Sequence, residues 1–222
     1  MKNGRGRKIP EILDIEEQKK LLNVFNTRYP TSLRNKTMIR LMLTTGLRLA
    51  EAINLKWNNI NFRAGKLKVE EGKGRKDRQL WLGEKTLNLL GEWRERQSRV
   101  LEEKDRENND NLVFTTLTGN KLNQVNIRKM VYRYAEKAGI QEEVTKHYRD
   151  KEDNKLEATY QEKKVTPHTL RHTFATDLYR DTKDIRQVQK ALGHSDLSTT
   201  MIYTHLVDED LQRDMQALDK KI

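Results

Sequence analysis

The chain has 222 residues and 26.3 kDa, enough for one domain of ordinary size, or one main domain with a small appendage, around a buried core. Charged residues and the AVILMFWYC set each make up 35%, so against a typical charged share of roughly 25% the surface is unusually ionic and the core thin. A formal charge of +11 and a pI of 9.7 put a polyanion first among the partners to consider, while the absence of cysteine excludes disulfide frameworks, Cys-ligated zinc and thiol nucleophiles.

The excess charge is uneven. Residues 1–100 carry 23 basic and 11 acidic side chains, a balance of +12, and residues 101–222 carry 21 and 22, a balance of −1, so the first half builds the cationic surface. Four cations and two glycines in residues 1–8 read as a flexible basic arm, extending to about residue 13. No apolar run approaches the roughly 20 residues of a membrane span, and the N-terminus lacks the apolar stretch of a signal peptide. The expectation is a cytoplasmic, nucleoid-associated protein with no membrane partner.

Asp14 and Glu17 form a capping box opening a helix to about Thr27, with Ile15, Leu21, Leu22 and Phe25 at helical spacing. A second helix runs from about Ser32 to Gly46, and a short third carries Leu49, Ala50 and Ile53. The pattern then changes: Ile60–Phe62, Leu67–Val69 and Gln79–Leu82 read as short antiparallel strands, with Gly72–Lys76 as the loop before the last. Glu84 to about Arg106 reads as a long helix, Leu112–Phe114 as a brief strand, and Asn123–Ala138 as a helix stopped by Gly139. Residues 141–164, with 13 charges in 24 residues, read as a loop or exposed hairpin turning at Asp153-Asn154. Thr166-Pro167 supplies an N-cap and a first helical residue for a helix to about Arg180; Asp184–Leu192 follows, stopped by Gly193, and the remainder reads as helical.

Candidate functional side chains stand at the punctuation points. His168 and Arg171 lie three apart at a helix N-terminus whose free amides favour an anion, so a phosphate would be well received there. Arg48 follows Gly46, Lys73 sits between two glycines, His194 follows Gly193, and Tyr203 comes nine residues later. Such positions let side chains converge on a cleft.

Four segments, Thr44-Thr-Gly-Leu-Arg48-Leu-Ala-Glu51, Gly72-Lys73-Gly-Arg-Lys76, His168-Thr-Leu-Arg171-His172, and Leu192-Gly-His194 through Tyr203-Thr-His205, resemble in order and spacing the boxes of the tyrosine recombinase (phage integrase) family. The resemblance implies an α+β, mostly helical catalytic domain with a small antiparallel sheet. It also implies cleavage and rejoining of double-stranded DNA through a 3′-phosphotyrosine, with no metal or other cofactor.

The chemistry fits those residue types. The five-coordinate phosphorane carries extra negative charge suited to the guanidiniums of Arg48 and Arg171. Tyr203, with a reference pKa of about 10, must lose its proton during attack, and His168 is placed to accept it. Lys73, with Lys76 as competitor, is the candidate acid for the 5′ oxygen, His194 adds a hydrogen bond to the phosphate, and Glu51 orients the cations. Arg75, Lys76 and Arg78 are read as DNA contacts.

Plainer readings stand beside these. Arg48 and Glu51 suit an exposed i,i+3 ion pair, Tyr203 a half-buried aromatic, and the Lys73 loop a phosphate-contacting patch without catalysis. His168 and His172 have the i,i+4 spacing of a zinc helix, but no Glu lies between them and Arg171 would stand beside the metal. Type IB topoisomerase-like relaxation of DNA and non-catalytic sequence-specific DNA binding are the rival functions.

Family members generally carry a helical DNA-clamping domain before the catalytic one; the residues before Asp14 are too few for it, so a catalytic fragment or a minimal recombinase is expected. The catalytic domain is expected over 14–206, with 141–164 a charged insertion. In 207–222, Val207, Leu211, Met215, Leu218 and Ile222 make one apolar stripe, read as a helix docking on its own domain or passing to a neighbouring protomer. A monomer in free solution, a tetramer on paired DNA sites and possible accessory DNA-bending factors complete the expectation.

Overall fold

A computed structural model describes residues 10–70, 77–149 and 156–204. Residues 1–9 of the basic arm, Lys73, Arg75, Lys76, the turn at Asp153-Asn154 and the stripe of 207–222 lie outside the described residues. The arm does not extend to residue 13 as expected: Leu13 is fully buried in the main core and its amide donates to Thr173 Oγ1, because an apolar side chain there packs with the domain.

Helix α1 (Ile15–Asn23) starts as expected, with Asp14 accepting from the Glu17 amide and Glu17 from the Asp14 amide. Helix α2 (Pro30–Thr45) is the centre of the domain, packed on both α4 (Glu84–Glu103) and α6 (Pro167–Thr182). Its Met38, Ile39, Leu41 and Met42 are buried, and so are Arg34, Asn35 and Thr37, which narrows its solvent face to a stripe of Lys36, Arg40 and Thr44. Burying Arg34 costs desolvation, which pulls its pKa down to about 10, and Thr115 O and Asn35 Oδ1 accept its protons.

Helix α3 (Leu49–Asn54) leads into an antiparallel sheet of β1 (Ile60–Asn61), β2 (Lys66–Val69) and β3 (Arg78–Trp81), in the order β1-β2-β3. Leu67 faces Ile60 on one side and Leu80 on the other, so the inner face joins the main core. Period-two alternation continues along β3: Arg78 and Leu80 are buried, Gln79 and Trp81 exposed.

Helix α4 ends three residues earlier than the pattern suggested, because Asp105 takes a positive φ of 52° that no helix continues. The expected strand Leu112–Phe114 does not form. Its Val113 carbonyl accepts from Trp93 Nε1 (2.6 Å) and Gln97 Nε2 (3.2 Å), and its Val113 amide donates to Leu55 O, leaving no ladder to extend. Only an isolated bridge from Lys56 to Leu112 remains. Beyond α5 (Gln124–Lys137), the charged segment is a two-stranded antiparallel hairpin of β4 (Glu143–Arg149) and β5 (Leu156–Lys163), with Glu143 opposite Lys163.

Helix α6 begins at Pro167 behind the Thr166 cap and runs to Thr182. Helix α7 (Ile185–Leu192) follows an Asp184 cap, and a 3-10 turn (Leu197–Thr199) leads to Tyr203. Ala175, Val188, Leu192 and Tyr203 form a second, smaller apolar cluster. The mostly helical α+β class with small antiparallel sheets agrees with the expectation from sequence. Among the described residues no helix is long and apolar enough to cross a membrane.

Candidate active site

Two helix C-termini are brought together around one guanidinium. Helix α2 is capped by Gly46 (φ 63°) and α7 by Gly193 (φ 66°), both in the left-handed region that glycine tolerates. A Cβ on Gly46 would also run into the Phe174 ring. Arg171, on α6 and 6% exposed, donates Nη1–H to Gly46 O and Nη2–H to Leu192 O (2.7 Å). The partial negative charge of helix C-terminal carbonyls suits a cation there. Desolvation by burial, aided by Arg48, lowers the Arg171 pKa to about 10, so it stays charged at neutral pH.

The second cationic group is built on α3. Arg48 precedes this helix, and its amide and Nη1 donate to the two oxygens of Glu51, each at 2.7 Å. This is no surface pair, since the Glu51 side chain is only 12% exposed. Burial alone would raise the Glu51 pKa, but hydrogen bonds and charge from Arg78, then hydrogen bonds from Arg48, outweigh it and hold the carboxyl below its ordinary value. Arg78, expected among the DNA contacts, faces inward instead with a side chain 5% exposed. Its Nη1 and Nη2 donate to Glu51 Oε1 (3.1 Å) and Oε2 (2.7 Å), and its Nε to Ala191 O (2.9 Å). The physical reason is register: Leu80 points into the core, so Arg78, two residues earlier, must as well. Three guanidiniums around one carboxylate leave the cluster cationic. A cleft of about 320 Å³ opens beside Arg48 and Glu51, lined also by Asn54, Lys56 and Lys68.

His194 completes the cluster. Its Nε2 lies 3.2 Å from Arg171 Nη2, and because a guanidinium only donates, Nε2 is the acceptor and the proton sits on Nδ1, facing Thr200 Oγ1 at 3.1 Å. Burial first, then the charges of Arg171, Arg48 and Arg78, lower the His194 pKa to about 4. Since the ordinary value is 6.5, an unfolded chain takes up this proton between pH 6.5 and 4 while the folded one does not. The stability contribution of neutral His194 is therefore complete above pH 6.5 and is lost as pH falls towards 4. An NMR titration should find its ring titrating near pH 4, and urea unfolding of His194→Gln should lose less stability between pH 7 and 5 than the parent; a ring titrating near 6.5 would contradict the geometry.

Tyr203 is 1% exposed, and its hydroxyl lies 2.9 Å from Nδ1 of His172. Burial pushes its pKa up to about 12 against the opposing pull of Arg171, so the phenol keeps its proton at neutral pH. The histidine expected to meet it, His168, is exposed at the second residue of α6 and makes no hydrogen bond to it. Sequence reasoning passed over His172 as a partner because the contact depends on where the segment after α7 folds back. Thr200 ties the two functional candidates together: it meets His194 through Oγ1 and accepts the Tyr203 amide through its carbonyl. The structure thus gathers Arg48, Glu51, Arg78, Arg171, His194 and Tyr203, leaves His168 at the exposed edge, and does not describe Lys73, Arg75 or Lys76. Among the described residues no three His, Asp or Glu side chains cluster as metal ligands would.

Guanidiniums gathered beside a histidine and a tyrosine have the charge and donor geometry that suit a phosphate oxygen. The chain belongs to the phage integrase family, whose model matches residues 11–210. It is 34% identical to the tyrosine recombinase XerC of Proteus mirabilis over 201 residues, covering 90% of this chain and 56% of the relative. To XerD of Listeria innocua serovar 6a it is 33% identical over 202 residues, 91% of this chain and 60% of the relative. The crystal structure of the XerH site-specific recombinase bound to a palindromic difH substrate, a post-cleavage complex, superposes with a TM-score of 0.72 at 29% identity, covering 98% of this chain and 56% of that one. The chain thus spans between half and two thirds of the length of these relatives.

Proposed function

We propose that this domain cleaves and rejoins double-stranded DNA as a site-specific recombinase, through a covalent 3′-phosphotyrosine at Tyr203. The observation that carries the reading is one cationic cluster: Arg48 and Arg78 share Glu51, Arg78 holds Ala191 O beside the Leu192 O that Arg171 holds, Arg171 meets His194, and Tyr203 is tied to the same segment through Thr200. Tyr203 Oη attacks the scissile phosphorus, the bond from phosphorus to the 5′ oxygen breaks, and the phenol proton passes to a histidine of α6. His172 holds the phenol in its buried position, and His168, at the exposed start of the helix, takes the proton once Tyr203 has moved out. The 5′ oxygen leaves as a hydroxyl after protonation by Lys73. Arg48 and Arg171 bind the non-bridging oxygens, where removing one preorganised donor typically costs about 10²–10³ in rate. The bond energy stays in the phosphotyrosine, so religation to another strand needs no nucleotide. With Tyr203 buried in this conformation, attack requires residues 197–204 to move towards the cleft.

Assembly belongs to the same reading: a monomer in free solution, and a tetramer on paired sites joined through residues 207–222. The test is a pool of nicked duplexes of randomised sequence, in which a short fragment diffuses away after cleavage and traps the protein on DNA. Covalently attached fragments are expected, and their sequences would define the site. A pool that yields no adduct, while the protein binds the same duplexes, would favour a DNA-binding protein without cleavage.

A further inference from the structure

Arg78 has no part in the chemistry assigned above, yet it is as deeply buried as Arg171. Its side chain is 5% exposed, against 30% for Arg48. Its bonds to Glu51 and Ala191 run inward. Both oxygens of Glu51 accept from it, and those same two oxygens accept the amide and Nη1 of Arg48. The Glu51 carboxylate is therefore shared between a buried guanidinium and a partly exposed one, in a plane that Arg78 fixes by a two-point fork. Through Nε, Arg78 also holds Ala191 O at the end of α7, next to Leu192 O, which Arg171 holds. It is thus bonded to both halves of the cationic cluster, from a strand that starts two residues after segment 71–76.

We infer that Arg78 is a positioning residue: by clamping Glu51 and the end of α7 it fixes the orientation of the Arg48 guanidinium towards the scissile phosphate. The inference rests on the recombinase reading for its consequence and on the fork geometry for its existence. Lysine at this position keeps a positive charge but offers one nitrogen, which cannot serve two carboxylate oxygens and a carbonyl in the fixed directions of a guanidinium. Arg48 would then share Glu51 with a looser partner.

The test compares Arg78→Lys with the parent in single-turnover cleavage of a duplex recovered from the covalent pool. Two scissile groups are used: the natural phosphodiester, and a methylphosphonate in which a methyl replaces one charged oxygen. If Arg78 acts through Arg48, the variant should lose on the order of 10²-fold on the phosphodiester, the effect of losing one preorganised donor, and much less on the neutral group, whose charge Arg48 no longer needs to meet. DNA affinity should hold, while the thermal midpoint should fall, because the ammonium leaves at least one of the buried acceptors unpaired. Equal losses on both substrates would show a general disturbance of the fold and overturn the inference, as would unchanged cleavage of both. An activity-independent readout separates this from failure of the recombinase reading. The Arg48 Nε–H NMR signal should sharpen and stand apart from exposed arginines in the parent, and move towards them in both Arg78→Lys and Glu51→Gln. Should the parent form no adduct while that signal responds as stated, the clamp stands and the recombinase reading falls. An Arg48 signal indifferent to both variants removes the clamp, whatever the DNA does.

Discussion

Tyr203→Phe is expected to abolish the covalent DNA adduct entirely while leaving DNA affinity within about threefold, as befits removal of a single hydroxyl that is buried and makes no part of the phosphate-contacting surface. The other hydroxyl beside the cluster, Thr200, is bonded to the His194 ring, and the remaining groups are guanidiniums, an imidazole and an ionised carboxylate already occupied by two arginines. The substitution also deletes the hydrogen bond from the phenol to His172, which should cost about 1 kcal/mol of stability, the typical net worth of such a bond. A small fall in the thermal midpoint therefore accompanies complete loss of chemistry, and the two effects are separable because only the second appears on DNA. Tyr29→Phe, at a tyrosine 65% exposed, serves as the control and should keep the adduct. An adduct persisting in Tyr203→Phe, or mapping by mass spectrometry to another tyrosine, would sink the assignment.

Local rules carried the helices and strands because each start and stop had its own chemistry. The Asp14 capping box, the Thr166-Pro167 start and the glycine stops at Gly46 and Gly193 act within a few residues, and the structure places them at the expected positions. The strand expected at Leu112–Phe114 failed for the opposite reason: its apolar run was visible, but its backbone partners are side chains from α4, some 15–20 residues away in sequence. Arg78 was misplaced although a signal existed. Strand alternation with Leu80 puts it on the buried face, but its charge and its place after a run of cations drew it towards DNA. For His172 no local signal existed, since neither helix spacing nor its neighbours reveal which tyrosine will arrive from a segment about 30 residues later. The punctuation points at Arg48, Arg171 and His194 suggested a cleft, and the resemblance of the boxes said which side chains would meet there, but the bonds themselves were not legible, because bringing Gly46 and Leu192 together on one guanidinium is a tertiary event.

Arg171→Lys should be the most damaging conservative change in the protein, acting on stability and on chemistry together. The guanidinium bridges Gly46 O, Leu192 O and His194 Nε2, three acceptors from two helix ends and the turn beyond. An ammonium can keep the charge but cannot span these directions, and any buried carbonyl it abandons goes unpaired. Charged hydrogen bonds of this kind contribute about 1.5–3 kcal/mol each, so a loss of roughly 2–3 kcal/mol is expected. For a domain of this length that is a fall of about 5–10 °C in thermal midpoint. Cleavage should drop by about 10²–10³ or more, because the fork that meets the phosphorane oxygens is lost as well. The neutral variant Arg171→Ala separates the two contributions by a third measurement. Arg171 is the largest charge holding down the His194 pKa after burial itself, so its removal should raise the titration of the His194 ring from about 4 towards 6.5, whereas Arg171→Lys, still charged, should move it less. A parent-like melting curve for Arg171→Lys would mean that the two helix ends are held together by packing of Leu192 and Phe174 and that the guanidinium is dispensable to the fold. A His194 ring that titrates identically in all three proteins would mean that burial alone sets its proton affinity, and that Arg171 answers only to the phosphate.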